Sequence, residues 1–341
     1  MRFTHITAHR LFLPLVCLAI ILLTNLVMSP EFFNIEIKDG RLYGSLIDVL
    51  NRSAPVALLA IGMSLVIATG GIDLSVGAVI AICGAVAANL LNSGWDSIWV
   101  VIAATLLVGA VAGSLNGVLV SRFNIQPIVA TLVLMVAGRG IAQLINEGRI
   151  ITFHNDAFSA IGVGYLFGLP MPLVIVAIVF AVVQCFTRAT ALGLFIEASG
   201  TNAKACFYAG INVKTLQLLV YTLSGFCAGV AGMIITADIQ GADANNAGLW
   251  LELDAILAVV LGGASLMGGR FSLPLTLVGV LIIQSLTTTI LMSGIEPKYN
   301  LLIKSLVIVA VLLLQSSTFR QYFQSFGRNH RQNPKAIHRG S

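Results

Sequence analysis

The sequence predicts an all-α polytopic membrane protein with about ten transmembrane helices, and three observations carry that expectation. The chain of 341 residues is 57% hydrophobic and 10% charged, with a mean hydropathy of +0.96. That is far more apolar surface than a water-soluble domain of this length can bury. Ten apolar runs can be drawn, at roughly 11–28, 46–69, 76–91, 98–120, 125–146, 171–187, 215–237, 252–268, 273–293 and 300–316, and most reach the ~17–25 residues a helix needs to cross a bilayer. Finally, Lys and Arg are unevenly shared among the segments joining these runs.

Taken in order, MRFTHITAHR and the run that follows have the basic and apolar regions of a signal peptide. The apolar core is long and no small-residue cleavage pattern follows, so it reads as a retained first span. The run 46–69 begins with Asp48 and Arg52 and holds Pro55, which marks it as broken or oblique, and 76–91 is short. Gly109-xxx-Gly113-xxx-Gly117 and Gly225-xxx-Gly229 let helix backbones approach closely, either inside one subunit or at a seam between subunits. After residue 316 the chain turns polar and basic. The expected organisation is one transmembrane domain over 1–316 and a basic cytoplasmic tail over 317–341.

With both termini cytoplasmic, twelve Lys and Arg fall on the inner side, against four (Lys38, Arg41, Arg149 and Lys298) outside. Arg52, Arg139 and Lys304 stay inside spans. The positive-inside rule favours that orientation. It also explains the net charge of +5 without nucleic acid, for which no basic and aromatic constellation exists. Cys17, Cys83, Cys185, Cys206 and Cys227 show no CxxC spacing and read as small hydrophobes, neither metal ligands nor a disulfide framework.

The stretch from Arg188 to Lys214 breaks the apolar pattern with three basic residues, one carboxylate and three glycines, so it belongs in water. Alanines and a Ser199-Gly200-Thr201-Asn202 turn or cap signal suggest short helical pieces broken at that turn. An aqueous helical elbow on a membrane protein is a surface for a partner.

Other motifs carry two readings each. In Gly70-Gly71-Ile72-Asp73-Leu74-Ser75-Val76-Gly77 the glycines permit irregular backbone, and Asp73 or Ser75 either caps the helix starting near Val76 or takes part in gating or the solute path. Asn116 and Gln126 flank a short inner turn and either hydrogen-bond between helices or line a polar passage. Arg139, with Gln143 one turn later, is an intramembrane cation that either functions or snorkels outward. The outer segment Asp238 to Asp254 offers Asp243, Asn245, Asn246, Trp250 and Asp254 to a sugar or a sugar-bearing protein, or is an ordinary loop with an aromatic anchor. The glycine-rich run 261–270 lacks the G-x-x-x-x-G-K-[ST] form and reads as a tight inner turn, so no ATP is expected on this chain. No HExxH, GxSxG or other catalytic set is present, and no cofactor or metal is expected on this chain.

GGIDLSVG at 70–77, the pattern from Asn116 to Pro127, the elbow from Gly200 ending AGINV, and DAILAVVLGGASLMGGR at 254–270 together resemble the ribose/xylose/galactose-type permease subunits of bacterial ABC sugar importers. Two further stretches, 39–63 and 237–256, look most similar to a galactofuranose permease. The resemblance implies a vitamin-B12-importer-like (type II) permease of ten helices in the bacterial inner membrane. It implies three partners: a cytoplasmic ABC ATPase carrying ATP-Mg, a periplasmic sugar-binding protein, and a second, non-identical permease. It places Glu197, Gly200, Thr201, Asn202, Lys204 and Gly210 in the region that couples to the ATPase. Phe271 stands where the family commonly has glycine, Ile128 where it usually has phenylalanine, and Cys206-Phe207 replaces a usual basic residue of the elbow.

A secondary sugar transporter or facilitator, independent of any ATPase, is the competing class. Such proteins commonly carry inverted repeats and a charged midplane site, whereas the span centres here are nearly free of charge. An intramembrane enzyme would need a nucleophile and base pair or a metal cluster, and the spans show neither.

Overall fold

A computed structural model of the chain describes residues 12–28, 30–38, 41–95, 97–294 and 296–315. The basic amino-terminal decapeptide and the tail 317–341 lie outside the described residues. The fold is helical throughout, with three two-residue or three-residue β pairings as trim. Helix α1 spans Phe12–Met28, the antiparallel hairpin β1–β2 pairs Glu36–Lys38 with Arg41–Tyr43, and α2 spans Ser45–Arg52. Helix α3, Ala54–Ala68, follows α2 at a 42° bend. Pro55 stands in the first turn of α3 and has no N–H to continue the α2 ladder, which accounts for the break the sequence announces.

Every residue of α3 except Pro55 is buried. A helix apolar all round belongs at the centre of a bundle, and the others wrap it. Helix α4 (Val76–Asn92), α5 (Ile98–Ser121) and α6 (Pro127–Ile145) come next. At one end lie β3 (Ile151–Thr152), α7 (Asp156–Val163) and the hairpin of β4 (Tyr165–Leu166) with β5 (Leu169–Pro170). Helix α8 (Met171–Ala189) then runs to the elbow, which is two short helices, α9 (Leu192–Thr201) and α10 (Ala203–Tyr208). The remainder is α11 (Val213–Ile239), β6 (Gly241–Ala242, paired with β3), α12 (Leu251–Leu261), α13 (Leu273–Met292) and α14 (Asn300–Gln315).

Among the described residues five helices (α5, α6, α8, α11 and α13) are long and apolar enough to cross a membrane, or six if the bent α2–α3 pair is one span; α1, α4 and α14 are apolar but shorter. The run expected to span at 252–268 is corrected. Helix α12 stops at Leu261 after 11 residues, a length of about 16 Å against a hydrocarbon core of about 30 Å. Gly263, Gly268 and Gly269 all have positive φ, so the backbone from 262 to 270 turns where the apolar pattern alone continues.

The glycine pairs resolve as packing within the chain. A β-carbon on Gly109 would meet the carbonyl oxygen of Gly225 at 2.6 Å, and one on Gly225 would meet the Gly113 α-carbon at 2.7 Å. Helices α5 and α11 therefore run backbone against backbone, the close approach that small residues permit.

Candidate functional site

Between α3 and α4 the backbone breaks inside the bundle, and the break is held by polar side chains from three other helices. Oδ1 of Asp73 accepts from the Ser75 N–H at 3.1 Å and the Ser75 hydroxyl at 2.7 Å, while Oδ2 accepts from the Ser224 hydroxyl of α11 at 2.9 Å. The Asn116 amide of α5 donates to the Ser75 hydroxyl at 2.8 Å. The Thr131 hydroxyl of α6 contacts the Ile72 carbonyl at 3.2 Å. Asp73, Ser75, Asn116 and Ser224 are each at most 1% exposed. A carboxylate so buried is costly, and its hydrogen-bond donors make it tolerable.

Of the two residues expected to cap α4, Ser75 is corrected, while Asp73 accepts from the Ser75 N–H at the start of that helix. Ser75 makes no side-chain bond to the α4 backbone, because its hydroxyl is engaged between Asp73 and Asn116. Gln126 does not join the cluster: it is exposed at the start of α6 and makes no side-chain hydrogen bond among the described residues. The cluster has members the sequence reading did not single out. Ser224 hides inside the glycine-spaced α11. Tyr221, fully buried, leaves its hydroxyl without a partner among the described residues and fills the space a side chain at Gly71 would need. Outside the cluster, Glu252 is 7% exposed and packs against Gly77, where any β-carbon would collide with its carboxylate. An acid in an apolar run and Gly71, two residues before Asp73, were the available signals.

Arg139 neither lines the Asp73 cluster nor snorkels free. Its guanidinium donates to the carbonyls of Ala244 at 3.1 Å and Ala247 at 2.6 Å, and Gln143, one turn on, donates to the Asn245 side chain at 2.6 Å. Helix α6 thus grips the segment between β6 and α12. Within that segment Asp243 accepts from the Asn246 amide at 2.7 Å and from the N–H groups of Asn245 and Asn246. These bonds, the Asn246 amide first, hold its carboxyl below the usual range. Asp254 is not a free loop acid. It lies on α12, paired with Lys304 of α14 at 2.6 Å with both side chains largely buried, because an acid among apolar helices is stable only beside a cation. Trp250 is 51% exposed.

The elbow breaks at Asn202, whose side chain accepts from the Ala205 N–H at 3.0 Å and caps α10. Helix α9 buries Ile196 and Ser199, and Thr201 bonds back to the Glu197 carbonyl. Lys204, Phe207 and Tyr208 are exposed, the two aromatics at 73% and 86%. Gly210 turns the chain at φ +81° in open space. At the base of the elbow the chain crowds. A β-carbon at Gly200 would collide with the Ala68 carbonyl at the end of α3 and meet the Gly269 nitrogen at 2.6 Å. The Gly269 N–H donates to that same Ala68 carbonyl at 2.9 Å. Arg188 stacks on Phe271, with its guanidinium 5.7 Å from the ring centroid, so the departure at Phe271 ties α8 to the turn after α12.

A bundle of apolar helices, a polar break inside it and a two-helix elbow wedged against the end of the broken helix together fit a multi-pass membrane permease. The family described as branched-chain amino acid transport system / permease component matches residues 45–312, and the chain belongs to it. It is 55% identical over 305 residues to the galactofuranose transporter permease protein YtfT of Escherichia coli (strain K12), covering 89% of each chain. It is 38% identical over 302 residues to the ribose import permease protein RbsC of Haemophilus influenzae, covering 87% of this chain and 90% of that one. To the fructose import permease protein FruF of Bifidobacterium longum it is 40% identical over 281 residues, 81% and 79% of the two chains. No solved structure matches the chain. The resemblance to sugar-import permeases read from the motifs is borne out by these relatives.

Proposed function

We propose that this chain is the membrane-spanning permease subunit of an ATP-driven importer of a monosaccharide, in the galactofuranose branch of that family. It is non-catalytic: ATP-Mg is turned over on a cytoplasmic ATPase that docks on the elbow, and sugar arrives from a periplasmic binding protein. The ten-helix, vitamin-B12-importer-like architecture over 1–316 counts α1, the α2–α3 pair, α4 and α14 as spans, with α12 as a half-span. Both termini lie on the cytoplasmic side, and a second, non-identical permease completes the pathway.

The observation that carries this reading is the joint at Gly200. The elbow, the end of α3 and the 262–270 turn meet there without room for one added carbon, so displacement of the elbow must displace α3 or the turn. Helix α3 leads directly into the Asp73 break, which is bonded to α5, α6 and α11. Push on α9 and α10 therefore reaches four membrane helices through contacts with little slack. A facilitator independent of ATP has no use for such a lever.

Co-purification from detergent followed by mass spectrometry, with ATPase assay in lipid, tests the reading. Recovery of an ATPase and a different permease, with turnover stimulated by one sugar-loaded binding protein, is the expected result. Sugar movement by the chain alone in ATP-free vesicles would sink it.

A further inference from the structure

A polar cavity, of about 440 Å³, opens far from the elbow, between the ends of α2, α11, α12, α13 and α14. Asp238, on its wall, stands near the end of α11, 25 residues after that helix starts beside the elbow, a distance of about 37 Å along the axis. Its volume falls within the ~300–1,000 Å³ typical of small-molecule sites. Asn51, Arg52, Asp238, Trp250, Gln284 and Thr287 contribute its polar and aromatic surface.

The charged side chains of this cavity are two acids and two bases, Asp238 and Asp254 with Arg52 and Lys304. Asp254 and Lys304 neutralise each other in the wall at 2.6 Å, and Asp238 is within electrostatic reach of Arg52. What remains is a set of planar hydrogen-bonding groups without partners. The Gln284 amide and the Arg52 guanidinium make no side-chain hydrogen bond among the described residues, and Asn51 Oδ1 is buried without a partner. Trp250 is held in the left-handed region at φ +67°, an uncommon conformation for a bulky residue, with half of its surface open. A neutral, polyhydroxylated ring suits this chemistry. Carboxylate, amide and guanidinium each pair with vicinal hydroxyls in two-pronged fashion, and an indole covers the C–H face of the ring. An anion or cation alone would meet one repulsive charge for each attractive one. Another large cavity, between α8 and α11, is walled by side chains such as Leu65, Phe186, Leu219 and Phe226, and suits no sugar.

We infer that this cavity is a monosaccharide subsite within the single chain, apart from the Asp73 cluster. The inference rests on the sugar-import reading and deepens it by naming where the chain itself touches the sugar.

Trp250 supplies the measurement. The sequence holds three tryptophans, so Trp95→Phe with Trp99→Phe leaves Trp250 as the only indole of the full chain. That variant, in lipid nanodiscs, is titrated with D-galactose and with D-ribose while emission is followed. In parallel, the assembled importer in vesicles is tested for ATP-driven uptake of the same sugars. Saturable change in emission, weakened about tenfold or more by Asp238→Asn and by Gln284→Leu at unchanged thermal stability, is the expected result. If the importer moves a sugar that gives no saturable change, or if both variants bind it as well as their parent, the subsite is overturned and the import reading stands. If the assembly moves neither sugar with ATP and emission does not respond, both fall together.

Discussion

Asp73 shows what a single side chain must satisfy inside this bundle. It is 1% exposed, and its carboxylate oxygens take three bonds from Ser75 and Ser224. Asp73→Leu leaves those buried donors unmet, which costs about 3 kcal/mol, and is expected to lower the detergent melting temperature and the yield of folded protein. Asp73→Asn retains an acceptor and an amide that can donate to Ser224. It should fold while slowing sugar uptake, measured against ATP turnover in the same vesicles. Equal stability of the Leu and Asn variants would remove the cluster as the support of the helix break. A pair of glycines gives the second contrast. Gly200→Ala places a carbon on the Ala68 carbonyl and should leave ATP hydrolysis running with transport cut at least tenfold. Gly210→Ala meets open space at φ +81° and costs only the backbone strain of about 1 kcal/mol. Full, normally coupled transport by Gly200→Ala would defeat the joint. These glycines sat in motifs visible in the sequence, but that one is crowded and the other free follows from which backbones pass beside them.

At the scale of elements, the bundle is held by two different devices. Helices α5 and α11 meet through glycines, so Gly113→Leu must force the backbones apart and is expected to abolish folding, whereas Gly140→Leu, with open space around it, should melt within a degree or two of the parent. Comparable melting of the two would break the assignment of the seam. Helices α12 and α14 meet through Asp254 and Lys304. Lys304→Met strands a largely buried carboxylate at a cost of about 3–5 kcal/mol, and adding Asp254→Leu should recover most of the loss, as a double-mutant melting series would read. The element boundaries legible in the sequence were those with local causes: Pro55 at the α2–α3 bend, Asn202 at the elbow break, and the four-residue glycine spacing. The turn over 261–270 was legible from its glycines, but the apolar run 252–268 overran it, since Leu266 and Met267 keep the run apolar while Gly263, Gly268 and Gly269 bend it. Asp254 looked like an outer-loop acid for a related reason: its partner lies 50 residues on, and no local pattern connects them.

For the whole molecule, the question is where force enters. Phe207 and Tyr208 stand at the far tip of the elbow, 73% and 86% exposed and in edge contact with one another at 5.9 Å. Exposed aromatics outside the lipid need covering, and a pair on a capped helix is the kind of anchor that dominates a protein interface. Their neighbour Lys204 is exposed as well, while Cys206 points inward and is buried. With Cys206 buried and Phe207 exposed where the resemblance implies a basic residue, this face of the elbow is more aromatic than charged. If that is the seat of the ATPase, the association should be insensitive to salt, since screening acts on exposed charges and not on buried rings. Both rings are largely exposed, so the variant Phe207→Ala with Tyr208→Ala should fold and melt like its parent. It should nevertheless recover at least tenfold less ATPase subunit on co-purification, at both 0.1 M and 0.5 M salt. Unchanged recovery would place the docking surface elsewhere, and loss only at the higher salt would return the contact to Lys204 and its fellow cations.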